Sequence, residues 1–126
     1  MKINDPAVLA DVRLLFQCYE RALVENDVET LDALFWDNAA TVRYGVGETL
    51  YGMEEIRAFR AARPATGLAR TVTRTQITVF GDHSATTHIE FTRDGVSRIG
   101  RQTQTWIRFP DAGWKVVSAH VSLMGG

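Results

Sequence analysis

A chain of 126 residues fits one domain of ordinary size, and its 45% hydrophobic and 23% charged residues are those of a globular fold rather than a disordered or fibrous one. A formal net charge of -1 gives no reason to expect nucleic-acid binding. One cysteine, Cys18, excludes an internal disulfide and argues against a structural zinc site.

The chain opens MKINDPAVLADV, with no apolar run like a signal-peptide core and none anywhere long enough to span a membrane, so a cytoplasmic protein without membrane contact is the expectation. Asn4-Asp5-Pro6 is a helix start, with a capping side chain before a proline whose missing N–H costs nothing in the first turn. Val8, Val12, Leu15, Phe16, Tyr19, Ala22 and Leu23 recur at three- and four-residue spacing and predict a helix running to about residue 25. Asn26 with Glu29 resembles a capping box for a second, shorter helix that buries Leu31, Leu34 and Phe35.

Residues 40–44 predict a first strand. Its period of two puts Val42 and Tyr44 on one face and Thr41, Arg43 and Gly45 on the other. GVGETLYG reads as a turn, and Met53 to Ala62 as a third helix with Ile56 and Phe59 inward, stopped by Arg63-Pro64. From Leu68 onward LARTVTRTQITVF, SATTHIEFTR, SRIGRQTQTWIRF and GWKVVSAHVSLM read as four β-rich segments. Gly81-Asp82, Asp94-Gly95 and Pro110-Asp111-Ala112-Gly113 punctuate them. Gly100 inside a strand pattern hints at a bulge or bend. Helices followed by long antiparallel strands give an α+β order over a single domain, residues 1–126.

This order resembles the cone-shaped α+β fold of SnoaL-like, nuclear-transport-factor-2-like and cystatin-like proteins, in which a curved antiparallel sheet wraps a long N-terminal helix. A closer resemblance covers nearly the whole chain. NDPAVLADV, YERALVENDVETLDALFWDNAATVRYGVGETLYGMEEIRAFRAARPATGLAR and GRQTQTWIRF…GWKVVSAHVSLM are similar to the HpxZ/AtzH-like family of oxalurate catabolism and cyanuric-acid breakdown. That resemblance implies a cofactor-free amidase acting on a small anionic ureide such as 1,3-dicarboxyurea or oxalurate. It also implies functional roles for a tyrosine on the first helix and an arginine on the first strand. YERALVEND and TVRYG place those roles on Tyr19 and Arg43.

Each residue also has a plain reading. Arginine on a strand ordinarily snorkels to solvent; the resemblance instead turns Arg43 inward, where its planar fork of donors would hold a substrate carboxylate. Tyr19 lies on an apolar stripe, where a tyrosine ordinarily packs in the core with its hydroxyl reaching one partner. The functional reading gives that hydroxyl proton transfer or substrate positioning. His120, with Ser118 and Ser122 on its strand face, is a candidate general base because imidazole titrates near neutrality, against a hydrogen-bonded structural role. Trp106, Gln102 and Gln104 share a strand face and offer a flat wall and amide contacts for a ureide. Arg57, Arg60 and Arg63 read as a solvated helix face paired with Glu54 and Glu55, with steering of anions as a secondary role. They open a stretch, completed by Arg70 and Arg74, that contains no acid. Glu90 reads equally as pocket acid or exposed strand residue. His83 and His88 lack ligand spacing with any partner, so no metal is expected.

Two functions compete. The first is the amidohydrolase just described. The second is a non-catalytic accessory protein, a homodimer that assists a separate amidase, since the cone fold hosts many unrelated functions. A cyclase or isomerase of the same fold is weaker, because no aspartate base in an apolar pocket stands out.

Overall fold

The computed structural model describes residues 1–125. Helix α1 spans Pro6–Val24. The Asp5 side chain accepts from the Val8 N–H, Pro6 opens the first turn, and Val12, Phe16, Tyr19, Ala22 and Leu23 form the buried stripe. The helix ends with Asn26 in the left-handed region (φ 53°), where asparagine is among the few tolerant residues. Backbone N–H groups of Asn26 and Asp27 close back on the carbonyls of Leu23 and Ala22. Asn26 is thereby used to stop α1, and the start of α2 (Val28–Leu34) falls to Asp27. Its carboxylate accepts from the Thr30 N–H at 3.2 Å and the Thr30 hydroxyl at 2.7 Å. The expected Asn26/Glu29 capping box is therefore replaced by an Asp27/Thr30 cap one residue later.

Strands β1 (Val42–Tyr44), β2 (Thr49–Tyr51), β3 (Thr71–Phe80), β4 (Ser84–Arg93), β5 (Val96–Phe109) and β6 (Gly113–Leu123) build one curved, open sheet in the order β2-β1-β6-β5-β4-β3. β3 to β6 form an antiparallel meander. β1 joins β6 in parallel, and β2, part of the segment expected to be a turn, pairs antiparallel to β1. The expected all-antiparallel sheet thus contains one parallel pair. Register shifts at Val72/Arg74, Phe91/Arg93 and Thr105/Trp106 bend the long strands. Gly100 lies one step from the second shift, directly opposite Phe91. A Cβ there would come within 2.2 Å of the Phe91 ring, so the glycine makes room for an aromatic cover.

Helix α3 (Met53–Ala62) starts at Gly52, whose φ of 85° only glycine adopts readily. It stops at Arg63, held extended before Pro64. α1 packs on α2 and β3, while α3 packs on α2 and β2. Residues from all three helices and from β3 to β6 meet in one core, including Phe16, Leu31, Ile56, Phe91, Trp106 and Val116. Among the described residues no helix is long and apolar enough to cross a membrane.

Candidate functional site

The inward face of the sheet is not uniformly apolar. Arg43, Thr87, Gln102 and Gln104 are buried among its hydrophobic residues. Arg43 is only 6% exposed, on the face opposite Val42 and Tyr44, which answers the strand alternation. Its Nη1 donates to Glu48 Oε1 at 2.9 Å, and its guanidinium lies 5.4 Å from the centre of the Phe59 ring. Glu48 Oε2 accepts from the Gly47 N–H, so the loop between β1 and β2 exists in part to deliver this carboxylate.

Four more arginines enter the same interior. Arg60 is 2% exposed, donates to Asp32 Oδ1 at 2.8 Å and stacks over Phe35 at 4.2 Å. Arg63 lies on Phe59 at 5.8 Å, sharing that ring with Arg43. Arg70 grips Glu20 through Nε and Nη2, donates also to Gln102 Oε1 at 3.1 Å and stacks on Phe91 at 4.4 Å. Arg93 takes Phe91 at 4.9 Å. The solvated-face reading of this arginine run is therefore corrected. Arg57 does lie at the surface, paired with Asp37, but Arg60 belongs to the buried stripe of Met53 and Ile56. Met53, Ile56 and Arg60 follow three- and four-residue spacing, and that signal was available in the sequence.

Tyr19 is at the centre of this arrangement. Its ring is 2% exposed and packs between Phe16 and Phe35. Arg60, Arg63 and Arg93 all lie within electrostatic range of its hydroxyl. Burial holds the guanidinium pKa of all three below the ordinary value; Arg43 adds to the effect at Arg63, and Arg70 at Arg93. Arg60 is thus desolvated, and the half-buried Arg63 and Arg93 partly so, each beside at least one other cation. Glu20, Asp32 and Glu48 answer three of the five.

The unpaired buried groups point the same way. Among the described residues, Arg60 Nη2, Arg63 Nε and Nη2, Arg93 Nε, Gln102 Nε2 and Gln104 Nε2 are buried nitrogens with no hydrogen-bond partner. The two amides are oriented by their neighbours. Trp106 Nε1, which can only donate, bonds Thr87 Oγ1 at 3.2 Å, so the single Thr87 proton goes to Gln104 Oε1 at 3.1 Å. Arg70, also a donor only, fixes Gln102 Oε1. Both carboxamides consequently present N–H groups to the interior. Trp106, fully buried, anchors this chain of bonds rather than forming an open wall.

His120 lies elsewhere. It is exposed on the outer face of β6, aligned with Tyr44 and packed edge-on against its ring at 5.5 Å. The same two-residue alternation that brings Arg43 in carries His120 out, so it does not share a space with Tyr19 and Arg43. Glu90 likewise lies between the inward Ile89 and Phe91 and lines an outer cleft with Arg74 and Arg101. Among the described residues no three His, Cys, Asp or Glu side chains form a metal-binding set.

Known proteins resemble this one over its full length. A crystal structure of a protein of unknown function from the DUF3225 family of Pectobacterium atrosepticum is 56% identical, covering 98% of this chain and 95% of its own, with a TM-score of 0.95. A cystatin-like fold protein from Burkholderia xenovorans is 48% identical over 100% of this chain and 98% of its own, also at 0.95. A nuclear-transport-factor-2-like protein from Salmonella enterica, 20% identical over 95% and 93% of the two chains, shares the fold at 0.76. Among curated proteins there is no match. The AtzH-like family model matches residues 1–126, every residue of the chain, and this protein belongs to the AtzH-like family.

Proposed function

We propose that the interior binds a small planar anionic ureide of the carboxyurea or oxalurate type, and that the protein is a cofactor-free amidohydrolase toward it. The observation that supports this reading is the set of buried N–H donors without a partner on Arg60, Arg63, Arg93, Gln102 and Gln104, together with two half-buried arginines, Arg63 and Arg93, that have no ion pair among the described residues. An anion in a dry pocket needs such donors, because unpaired charge is otherwise expelled. Arg43 supplies a fixed positive charge on the inward face of β1. Gln104 and Gln102 offer N–H donors to a ureide carbonyl oxygen. Tyr19 supplies a hydroxyl beside these cations, while Glu48 and Asp32 are held in ion pairs, so Tyr19 takes the part of proton transfer or of orienting the attacking water.

The test is hydrolysis of 1,3-dicarboxyurea and oxalurate by the wild type, Arg43→Ala and Tyr19→Phe, followed as loss of substrate together with the urea, ammonia and bicarbonate formed. Turnover should fall roughly 10- to 100-fold in Arg43→Ala, the worth of a charged hydrogen-bonding partner. Loss of a proton-transfer group in Tyr19→Phe should cost on the order of 100-fold or more. Equal turnover in all three would reject these roles. No loss of either substrate with a folded wild type would shift the reading to the accessory homodimer, and recovery of a larger amidase subunit in a pull-down would then support it.

A further inference from the structure

We infer that the carboxylate of the bound anion is held by the Nε–H and Nη2–H edge of Arg63, with Arg43 acting through its charge rather than as the two-point clamp. This assignment rests on the anion-binding reading above and names the group that makes it selective.

The chain itself shows what this edge of an arginine does. Arg70 presents Nε and Nη2 side by side and each takes one oxygen of Glu20. That is the two-point match between a guanidinium fork and a carboxylate. Arg63 presents the same pair of nitrogens, both buried and neither with a partner among the described residues. No carboxylate among the described residues lies within ion-pair distance of it, in contrast to Arg43, Arg60 and Arg70, and Glu48 acts on it only from its place on Arg43. Arg43 Nη1 is held by Glu48, which answers the charge of Arg43. Arg63 is the arginine whose buried Nε and Nη2 have neither a hydrogen bond nor an ion pair among the described residues.

The side chain is also held in position. Pro64 restricts Arg63 to extended backbone at the end of α3, and the guanidinium rests on the same Phe59 ring as Arg43. Of the two cations on one ring, Arg43 is paired with Glu48 and Arg63 is not paired among the described residues, so one further carboxylate would complete the balance. A neutral amide in that place would gain neither the charge nor the second acceptor oxygen, so the site should tell an acid from its amide.

The experiment is calorimetric titration with oxalurate and with its uncharged amide, oxaluramide, on the wild type, Arg63→Gln, Arg63→Lys and Arg43→Gln. Circular dichroism checks that each variant is folded. The wild type should prefer the acid by about 10- to 100-fold. Arg63→Gln should bring the two affinities together, and Arg63→Lys should keep part of the preference, because the charge survives and the fork does not. A preference untouched by either Arg63 substitution overturns the assignment. If Arg43→Gln alone removes it, the clamp is Arg43 and the ureide-binding reading stands. Binding of neither compound by the wild type overturns both.

Discussion

Arg43 stays buried because three neighbouring residues are arranged around its charge. Glu48 brings a carboxylate to 2.9 Å, the Gly47 N–H holds the other oxygen, and Gly45 leaves the space. A Cβ on Gly45 would fall 1.7 Å from Glu48 Oε1. The glycine is needed here for room, not for an unusual φ. Gly45→Ala should therefore displace Glu48 and leave Arg43 with an uncompensated buried charge, at a cost of about 1–3 kcal/mol. Urea unfolding would show this as a lower midpoint at unchanged slope. The loss should shrink in a Glu48→Ala background, because the two substitutions act on one pair. Full additivity would show that Gly45 matters for another reason.

At the scale of elements, β4 and β5 carry the second aromatic platform. Phe91 lies over Gly100 on one side and beneath Arg70 and Arg93 on another. Gly100→Ala would put a methyl group 2.2 Å from the ring and push the platform and its arginines outward. A loss of about 1–3 kcal/mol is expected, as for other overpacked sites, with partial recovery when Phe91→Leu is added. Equal melting temperatures for wild type and Gly100→Ala would contradict it. The element pattern was largely legible beforehand. The stripe of α1, the bounds of α3 and the four long strands follow from periodicity, glycine and proline. What was not legible depends on contacts between distant segments. Nothing in VRY states that it lies parallel to β6, and Asn26 serves α1 as readily as α2. The inward arginines were half visible. Arg60 shares a stripe with Met53 and Ile56, but the habit of arginine to seek water outweighed its position. Arg70 and Arg93 could be recognised only once Glu20 and Phe91 were beside them.

Taken as one molecule, the protein has a charge distribution turned inside out. The whole chain is net -1, yet among the described residues five inward arginines, Arg63 and Arg93 half-buried, are paired with three carboxylates, which leaves the rest of the chain acidic. Burial and the neighbouring Arg43 both disfavour the charged form of Arg63 in the folded state. A cation whose folded pKa is depressed weakens folding wherever it is charged, and an arginine is charged across the whole working pH range. Its removal should then stabilise the free protein at every such pH, while removing what the anion binds. This is the trade expected of a functional group kept at the expense of stability. Without ligand, Arg63→Gln should melt a few degrees above the wild type. With oxalurate at a hundred times the wild-type Kd, mass action adds about 2.7 kcal/mol to the wild type and much less to the variant, so the order of melting temperatures should reverse. Thermal scans of both proteins, with and without oxalurate, decide it. A variant less stable than the wild type in both conditions would mean that Arg63 is a packing residue whose charge is already satisfied.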